Sequence, residues 1–356
     1  MKKMNVCVLF GGVSPEHLVS LRSAESVLNH MDPEKYQIFP VGITQEGKWM
    51  LFGSDDYSLL PGKVWETCAD NVPAAISPVR GEGLLCLGRE GLEKYPLDVV
   101  FPVLHGENGE DGAMQGLLQL AGIPYVGPHV SASAVAMDKT LTKLVVDQAG
   151  LPQAAWHLVR SQELRHHLEQ VLDTLEGRFA YPMFVKPAGT GSSVGVSKAA
   201  DRAALATALE NAGKYDAKIL VEEFIHGREI EVAVLGNDSP MASICGEIDS
   251  GAEFYDYEAK YITDTSVAYI PARIPEDVAE VVRDAAVKIY NAIGCQGLSR
   301  VDFFVTYEGN RVVFNEINTL PGFTSISMYP KLFDASGIPY SQLIDNLLTL
   351  AVEAAR

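Results

Sequence analysis

The sequence predicts an α/β protein of two or three domains. Its length of 356 residues allows more than one core. Strand patterns alternate with amphipathic helix patterns from the start of the chain to a final helix at 340–355. The chain shows no internal repeat and no low-complexity linker, so we expect its units to pack closely.

The first predicted unit opens with a strand at 5–10, which ends in a Gly-Gly turn. Ser14 can cap the helix that follows, because a serine oxygen accepts hydrogen bonds from the free N–H groups of a first helical turn. Further strands are predicted at 36–43 and 99–104. The last of these is apolar almost throughout, which is typical of a buried parallel strand.

A glycine-rich polar loop follows that buried strand. It runs from His105 to Gly112 and reads HGENGEDG. Open α/β sheets bind ligands at the carboxyl ends of their strands, so we expect this loop to lie at a site. Residues 55–95 show no periodic pattern and are predicted to be irregular.

The second predicted unit contains a helix with lysines, a strand, a Gly/Ser loop, another helix and a strand, at 137–149, 183–186, 187–195, 202–212 and 219–222. The loop reads PAGTGSSVG and follows Lys186. Its N–H groups can face a phosphate beside the lysine, although the chain has neither GxxxxGK[ST] nor GxGxxG. Alone, this segment is better explained as a flexible hairpin. Lys139 and the acidic strand end Glu222-Glu223 favour a nucleotide site.

The last unit contains a predicted β-hairpin rich in Val and Phe, with the turn sequence EGN at 308–310. If these three residues form the turn, Asp302 lies opposite Glu316 and Arg300 opposite Asn318. Side chains alternate between the two faces of a strand, so all four share one face. Two carboxylates and an amide oxygen suit Mg2+. The alternative is a surface ion pair of the arginine with the acids.

Composition narrows the classes of partner. Acidic residues exceed basic ones by 18 (46 against 28), which argues against nucleic acid and anionic membranes. No stretch approaches the roughly 18 apolar residues of a membrane span, and the short apolar run after Met-Lys-Lys is predicted to be a strand instead of a signal peptide. The five scattered cysteines predict free thiols in a cytoplasmic protein.

Taken together and in this order, the motifs resemble those of the D-alanine–D-alanine ligase family in the ATP-grasp superfamily. The matching segments are FGGVSPEH at 10–17, LHGENGEDG, MDK, VKP with GTGSSVGV, VEEFI with GREIEV, FYDYEAKY at 254–261, SRVDFF, and NEIN with TLPGFTSISMYP. They extend from residue 10 to residue 330, so the resemblance covers nearly the whole chain.

The resemblance implies a Rossmann-like (pre-ATP-grasp) N-terminal domain at 1–133, followed by a two-domain ATP-grasp fold. Its central lid domain would span 134–221 and its C-terminal domain 222–356, with a closing loop at about 247–267. ATP would lie between these two domains together with two Mg2+ ions, with Mn2+ as an alternative ion. The protein would form a homodimer.

The resemblance also implies roles for individual residues. ATP would be bound by Lys139, Lys186, Ser192, Ser193, Val194, Glu222, Glu223, Ile225 and Glu229. The metal ions would be bound by Asp302, Glu316 and Asn318. The two D-alanines would lie among Glu16, His105, Lys260 and Ser327. The residues implied in catalysis are Glu16, Ser192, Tyr261, Arg300 and Gly322.

The implied reaction joins two D-alanines into the dipeptide used for peptidoglycan precursors. ATP first converts one carboxylate into an acyl phosphate, and the amine of the second D-alanine then attacks it. A ligase that accepts D-serine is an alternative, whereas D-lactate fits less well because Lys260-Tyr261 are present. An alternative from another class is an ATP-grasp protein that binds nucleotide as a regulator without turnover.

Several of these residues have simpler explanations outside the family context. His105 would be a structural loop histidine, Tyr261 a packing residue and Lys260 a solvated side chain. One position departs from the family pattern, since Leu18 stands where the family usually has an acidic residue, two positions after Glu16. This departure bears on how the first D-alanine is bound.

Overall fold

A computed structural model describes residues 2–62, 64–191, 194–249 and 267–355. Most of the predicted closing loop lies outside these residues, as do four predicted site residues, Ser192, Ser193, Lys260 and Tyr261. The described residues form three sheets with helices packed against them, which confirms the predicted α/β class. None of the described helices has both the length and the apolar character needed to cross a bilayer.

The first sheet has seven strands, namely β1 Met4–Gly11, β2 Tyr36–Ile43, β3 Trp49–Leu51, β4 Val72–Ile76, β5 Leu84–Gly88, β6 Gly91–Tyr95 and β7 Val99–Val103. Their order is β6-β5-β4-β3-β2-β1-β7. Strand β1 pairs in parallel with β2 and β7, and the other pairs are antiparallel. The helices α1 His17–His30 and α2 Ala113–Ala121 follow the carboxyl ends of β1 and β7, where ligands are expected.

The region 55–95 is not irregular as predicted. It contains β4, β5 and β6, preceded by two short 3-10 helices at Tyr57–Leu59 and Val64–Thr67. Each of the three strands has only five residues, and several of those are exposed, so no clear periodic pattern develops in the sequence. The prediction was wrong because tertiary pairing, not a sequence pattern, defines these strands.

Two helices lead from the first sheet to the second, α3 Val130–Met137 and α4 Lys139–Gln148. The sequence predicted a single helix at 137–149. The Asp138 side chain accepts hydrogen bonds from the N–H groups of Thr140 (3.0 Å) and Leu141 (3.2 Å). This cap starts a new helix at Lys139, which places that lysine in the first turn.

The second sheet is antiparallel and has the order β10-β9-β11-β8, with strands β8 Trp156–Arg160, β9 Met183–Pro187, β10 Ser197–Ala199 and β11 Lys218–Glu223. Helices α5 Ser161–Glu176 and α6 Arg202–Ala212 cover one face and share its core. The other face is left for the site.

The third sheet is also antiparallel, with strands β12 Gly227–Leu235, β13 Met241–Ala242, β14 Gly246–Asp249, β15 Val267–Tyr269, β16 Leu298–Thr306 and β17 Val312–Asn318. Its order is β15-β14-β12-β16-β17, and β13 pairs beside β12. Helix α7 Glu276–Ile293 packs on one face together with α3 and α4. The predicted metal-binding hairpin is β16–β17.

The last two helices, α8 Met328–Ala335 and α9 Tyr340–Ala354, return to the first sheet. Leu343 and Leu347 of α9 share one core with Val6 and Phe101 of the first sheet. Both ends of the described chain therefore belong to one core, and the loops before α8 meet the carboxyl ends of the first sheet. The domain boundaries at 133/134 and 221/222 stay predictions.

Candidate active site

A cavity of about 720 Å3 lies between the second and third sheets. Its walls contain many of the residues predicted to bind ATP and metal, namely Lys139, Lys186, Glu222, Glu223, Ile225, Glu229, Glu316 and Asn318. Thr190 and Gly191 of the glycine-rich loop also line it. A concave site of this size with both apolar and charged walls suits a small molecule such as a nucleotide.

Lys139 holds the glycine-rich loop against α4. Its ammonium donates a hydrogen bond to the Thr190 carbonyl (2.7 Å), and its backbone N–H donates to the Ala188 carbonyl (3.0 Å). Within the loop, the Val194 N–H donates to the Gly191 carbonyl (3.1 Å). The structure therefore brings the first predicted phosphate-binding lysine and the loop together at one end of the cavity.

Lys186 and Glu222 form a buried ion pair in the cavity wall. The Lys186 ammonium lies 2.7 Å from Glu222 Oε2, and the other carboxylate oxygen pairs with the ammonium of Lys143. Burial would raise the pKa of Glu222, but the two ammonium groups lower it to about 2. Burial alone would lower the pKa of Lys186, but the Glu222 carboxylate outweighs that effect and raises it. The pair therefore stays ionised.

Aromatic rings form another part of the cavity wall. Phe184 and Phe224 stack with their ring centroids 5.9 Å apart, and the Lys198 ammonium lies 4.9 Å from the Phe224 centroid. Glu223 Oε1 accepts a hydrogen bond from the Ala155 N–H (2.8 Å), which fixes the end of β11 beside these rings. Flat apolar surfaces of this kind suit the ring of a base.

The hairpin pairs its functional residues as the sequence predicts. Arg300 lies opposite Asn318, and Asp302 lies opposite Glu316. Asp302 is only 7% exposed, while Glu316 and Asn318 line the cavity. All four therefore lie on the cavity side of the third sheet, on the face opposite the core residues of the same strands.

The turn of this hairpin differs from the prediction. The Thr306 N–H donates to the Arg311 carbonyl (3.1 Å), so four residues, 307–310, form the turn instead of three. The pairing next to the turn is consequently shifted by one residue. A β-bulge at Asn315 restores it, because two residues of β17 there face one residue of β16. The two deviations cancel, and both Asn315 and Glu316 line the cavity.

Arg300 binds carboxylates on its own strand and on the neighbouring one. Its Nε and Nη2 donate to the two Asp302 oxygens (2.8 and 2.7 Å), and Nε lies 3.1 Å from Glu231 Oε2 in β12. Asn318 Nδ2 also donates to Asp302 (3.0 Å). Burial would lower the pKa of Arg300, but Asp302 and Glu231 raise it above its ordinary value, so the guanidinium stays charged.

The hairpin face fits a divalent cation that prefers oxygen ligands. Within the described residues no group of three His, Cys, Asp or Glu side chains is placed to hold a metal, so a cation site on this face would need the Asn318 amide oxygen beside the carboxylates of Asp302 and Glu316. Of the described side chains that line the cavity, four are cationic and seven are acidic, the cations being Lys139, Lys186, Lys198 and Arg228 and the acids Glu110, Glu222, Glu223, Glu229, Glu247, Asp249 and Glu316. A nucleotide adds further negative charge, which metal ions would balance.

Glu16 lies where the first sheet meets this cavity. A methyl carbon on Gly191 would lie 2.8 Å from Glu16 Oε2, and one on Gly106 would also collide with this carboxylate. The two glycines therefore allow Glu16 to sit between the HGENGEDG loop and the glycine-rich loop. Leu18 is 44% exposed, so its departure from the family pattern does not alter the core.

His105 connects the first sheet to the loop that follows β17. A carbonyl can only accept, so His105 Nδ1 carries a proton and donates it to the Leu320 carbonyl (3.0 Å). Burial lowers the pKa of His105, which leaves Nε2 free to accept from the Ser23 hydroxyl (3.1 Å). The Ser23 oxygen in turn accepts from the Phe323 N–H (3.2 Å). This buried network fixes the loop 320–323.

Glu110 makes a second connection to the same loop. Its carboxyl oxygens accept hydrogen bonds from the N–H groups of Gly106 (2.8 Å) and Leu320 (3.1 Å). Burial is the largest cause of a raised pKa at Glu110, and the charge of the nearby Glu16 is the second. Together they raise the pKa to about 8, although the two N–H groups and Arg300 act against this. No role was predicted for Glu110 from the sequence.

Gly322 and Ser327 meet at the start of α8. A methyl carbon on Gly322 would lie 2.8 Å from Ser327 Oγ, so the glycine backbone passes close to the serine. Ser327 Oγ also accepts from the Thr324 N–H (3.0 Å) and bonds the Thr324 hydroxyl (2.8 Å). Both predicted residues thus belong to the loop that His105 and Glu110 hold in place.

Comparison with known proteins is consistent with this geometry. The family profile described as D-ala D-ala ligase N-terminus matches residues 5–128, and the one described as D-ala D-ala ligase C-terminus matches residues 145–349. The D-alanine--D-alanine ligase of Caldicellulosiruptor bescii is 50% identical over 100% of this chain and 97% of its own. That of Acetivibrio thermocellus is 50% identical over 99% and 96%. The chain belongs to the D-alanine–D-alanine ligase family.

Solved structures of ligases have the same fold. The VanG D-Ala:D-Ser ligase from Enterococcus faecalis has a TM-score of 0.89 at 38% identity, over 98% of this chain and 100% of that chain. The D-alanine-D-alanine ligase from Coxiella burnetii has a TM-score of 0.85 at 36% identity, over 100% and 95%. This agreement confirms the predicted ATP-grasp fold for this member of the ligase family.

Four residues that shape the site of this ligase were missed by sequence reasoning. Lys143 follows Lys139 by four positions, a spacing that places both on one helix face. Glu110 lies within the HGENGEDG loop, and Glu231 lies opposite Asp302 across β12 and β16. Their neighbouring motifs were the available signals. The bulge residue, Asn315, is the first residue of the NEIN motif, but no local pattern predicted the bulge.

Proposed function

We propose that this ligase uses ATP to join two D-alanines into D-alanyl-D-alanine, the dipeptide of peptidoglycan precursors, through a D-alanyl phosphate intermediate. One observation carries the proposal. In a chain half identical to relatives named D-alanine--D-alanine ligase, the lysines of the second sheet and the acidic hairpin face line one cavity. That combination is what phosphoryl transfer from ATP to a carboxylate requires.

The ATP end of the site works by positioning and charge. Lys139 and Lys186 attract the phosphates, and the glycine-rich loop that follows Lys186 supplies backbone N–H groups. Mg2+ held by Asp302, Glu316 and Asn318 would neutralise charge on the transferred phosphoryl group. The stacked rings of the second sheet face the adenine.

The amino-acid end lies under the first sheet. The Glu16 carboxylate, fixed between two glycine loops, binds the ammonium group of the first D-alanine. Ser327 donates to the carboxylate of the second. Arg300, whose guanidinium stays charged, stabilises the oxyanion that forms when the second amine attacks the acyl carbon, together with the backbone N–H of Gly322.

A second candidate is ligation of D-alanine to D-serine. It is favoured by the TM-score of 0.89 with the VanG D-Ala:D-Ser ligase. The curated relatives that are 50% identical carry the D-alanine--D-alanine name, so we place D-alanine first as the second substrate. The position of Tyr261, implied to help select this substrate, lies outside the described residues.

The finer properties of the enzyme belong to this proposal as well. We expect two Mg2+ ions per active site, with Mn2+ able to replace them, since the hairpin offers carboxylate and amide oxygens. We also expect a homodimer in the cytoplasm, where ATP is supplied. Size-exclusion chromatography with light scattering checks the oligomeric state.

The test is product identification by mass spectrometry. The chain is incubated with ATP, Mg2+ and D-alanine, then with D-serine or D-lactate added in competition, and phosphate release is followed. D-Alanyl-D-alanine as the dominant product in all mixtures supports the proposal. A dominant D-alanyl-D-serine product would favour the second candidate, and ATP binding without turnover would contradict both.

A further inference from the structure

A buried lysine without a predicted role lies behind the wall of the ATP cavity. Lys143 in α4 has only 2% of its side chain exposed, and its ammonium pairs with Glu222 Oε1. Glu222 and Lys186 line the cavity, whereas Lys143 is not among the described residues that do so. Lys143 therefore lies behind the Glu222 carboxylate as seen from the cavity.

We propose that Lys143 is a positioning residue for ATP: it holds the Glu222 carboxylate from behind, so that Lys186 keeps a net positive charge toward the phosphates. The inference rests on the proposed function, because it takes ATP as the ligand of this cavity. It adds a residue that acts on ATP without touching it.

The charges of the three residues support this role. Glu222 and Lys186 alone would form a neutral pair, whereas the pair together with a protonated Lys143 carries one net positive charge. Burial lowers the pKa of Lys143, and the Glu222 carboxylate acts against that shift. The cavity lining contains more acidic than basic side chains, so each positive charge near the phosphates counts. In a protein interior of low dielectric, such a charge acts over several ångströms.

The geometry explains why the carboxylate stays in place. Strands β9 and β11 pair Lys186 with Leu220, so Glu222, two positions further, is a diagonal neighbour on the same face. Lys143 approaches from α4, one turn after Lys139, which holds the glycine-rich loop. One helix face thus fixes the loop and the carboxylate. With an ammonium on each oxygen, rotation of the Glu222 carboxylate would break at least one of the two ion pairs.

Stability does not explain the buried charges. Replacing a buried ion pair or triad by apolar residues of similar volume is often neutral or stabilising, so stability alone does not favour a lysine at this position over a methionine. The Lys143 ammonium also lies 5.8 Å from the Phe314 ring centroid, so an apolar side chain would have an aromatic neighbour. A functional reason for the charge is therefore the simpler explanation.

The experiment compares ATP binding and kinetics in four proteins: the full wild-type chain, Lys143→Met, Glu222→Gln and the double variant. Binding of ATP with Mg2+ is measured by calorimetry without D-alanine. We expect Lys143→Met to weaken ATP binding roughly ten- to hundredfold and to raise the KM for ATP, with the KM for D-alanine changed less than about twofold. In the Glu222→Gln background, the same substitution should change ATP affinity less than about threefold, because the carboxylate it acts through is gone.

Lys94→Met is the matched control. Lys94 lies in β6 of the first sheet, its ammonium pairs with Glu82, and its side chain is 51% exposed. Its loss should leave ATP binding unchanged. Three results would overturn the proposal. Folded Lys143→Met binds ATP as well as the wild type, or the KM values for ATP and D-alanine rise in parallel, or Lys143→Met weakens ATP binding equally in the wild-type and Glu222→Gln backgrounds. If Lys143→Met does not fold, Glu222→Gln and the double variant are compared alone. If Glu222→Gln and the double variant bind ATP with equal affinity, the proposal is supported, whereas a difference above about tenfold between them overturns it. Failure of the wild type to bind ATP would contradict the proposed function, and this inference with it.

Discussion

The buried carboxyl groups of this ligase differ in their pKa values because they have different neighbours. Asp302 is held by Arg300 and Asn318, and Glu222 is held by two lysines. Glu222 keeps its charge because the two ammonium groups replace the water it has lost. Glu110 behaves differently, since burial and a neighbouring carboxylate dominate and raise its pKa to about 8.

The metal assignment can be tested on the hairpin. Asp302→Asn and Glu316→Gln each remove one carboxylate charge and keep the shape of the side chain. We expect turnover to fall at least about a hundredfold, because charge on the transferred phosphoryl group is no longer neutralised. ADP release at several Mg2+ concentrations measures this, and thermal unfolding checks that the fold is retained.

Glu308→Gln is the control for this prediction. Glu308 lies exposed in the turn of the same hairpin, so its replacement should leave turnover and Mg2+ dependence unchanged. Normal Mg2+-dependent turnover by either Asp302→Asn or Glu316→Gln would show that the metal assignment is wrong.

The raised pKa of Glu110 predicts a pH effect on stability. From its ordinary value of 4.5 the pKa rises to about 8 in the folded protein, so the folded state binds more protons between these values. The contribution of Glu110 to stability is therefore fully present below about pH 4.5 and is lost as the pH rises toward 8, with a slope of at most about 1.4 kcal/mol per pH unit.

Glu110→Gln should remove this slope, because glutamine resembles the protonated acid and does not titrate. Urea unfolding of both proteins at several pH values between 5 and 8.5 gives the difference, in which groups common to both proteins largely cancel. We expect the variant to gain stability relative to the wild type as the pH rises. Parallel pH profiles would mean that Glu110 titrates near its ordinary pKa.

At the scale of elements, local irregularities place the functional groups. The β-bulge at Asn315 corrects the register that the longer turn had shifted, so Glu316 reaches the face of Asp302. The bulge also directs Asn315 toward Lys186, whose ammonium donates to its side-chain oxygen (3.4 Å). The Asp138 cap has a similar effect, since it begins α4 at the lysine that holds the glycine-rich loop.

This cap gives a prediction at the element scale. Asp138→Ala removes Oδ1, which caps α4, and Oδ2, which pairs with Lys218, so we expect a loss of about 1–2 kcal/mol in unfolding free energy. Because Lys139 occupies the first turn, the KM for ATP should also rise. Urea unfolding and steady-state kinetics measure the two effects.

Asp201→Ala is the matched control, because Asp201 caps α6 in the same way, by accepting from the Ala204 N–H (2.9 Å). We expect a comparable loss of stability with no change in the KM for ATP. If both caps affected ATP binding equally, the cap of α4 would have no specific part in placing Lys139.

At the scale of the whole molecule, the site depends on contacts between distant parts of the chain. The Ser23–His105–Leu320 network and the Glu110 contacts join the first sheet to the loop before α8. Helix α9 closes the same core, and the Tyr36 hydroxyl donates to Asp345 (2.6 Å). The amino-acid end of the site therefore forms only when the first sheet and the C-terminal helices are packed together.

Ser23→Ala tests this dependence. The substitution leaves the buried Phe323 N–H and His105 Nε2 without their partner, at a cost of about 1–3 kcal/mol in unfolding free energy. We expect the KM for D-alanine to rise more than the KM for ATP, because the loop 320–323 borders the amino-acid end. Ser131→Ala, at an exposed serine in α3, should change neither. A larger effect on ATP than on D-alanine would contradict the prediction.

The sequence alone predicted those features that depend on short-range patterns. Alternation of side chains placed Asp302 and Glu316 on one face, and the order of the motifs indicated the family and its ATP-grasp fold. Where a pattern was short, prediction was wrong, as for the strands within 55–95, and the helix predicted at 137–149 begins two residues later, at Lys139, after a helix that was not predicted. Five-residue strands and a one-residue cap leave too little periodicity to detect.

Tertiary structure decided which distant groups share a charge or a hydrogen bond. Lys143 meets Glu222, and His105 meets Ser23, only because separate sheets and helices pack together, and no local spacing encodes these distances. The protonation of Glu110 likewise depends on the burial that the assembled fold creates. Periodicity and residue chemistry act along the chain and can be read from it, whereas burial and pairing act through space and exist only once the chain has folded.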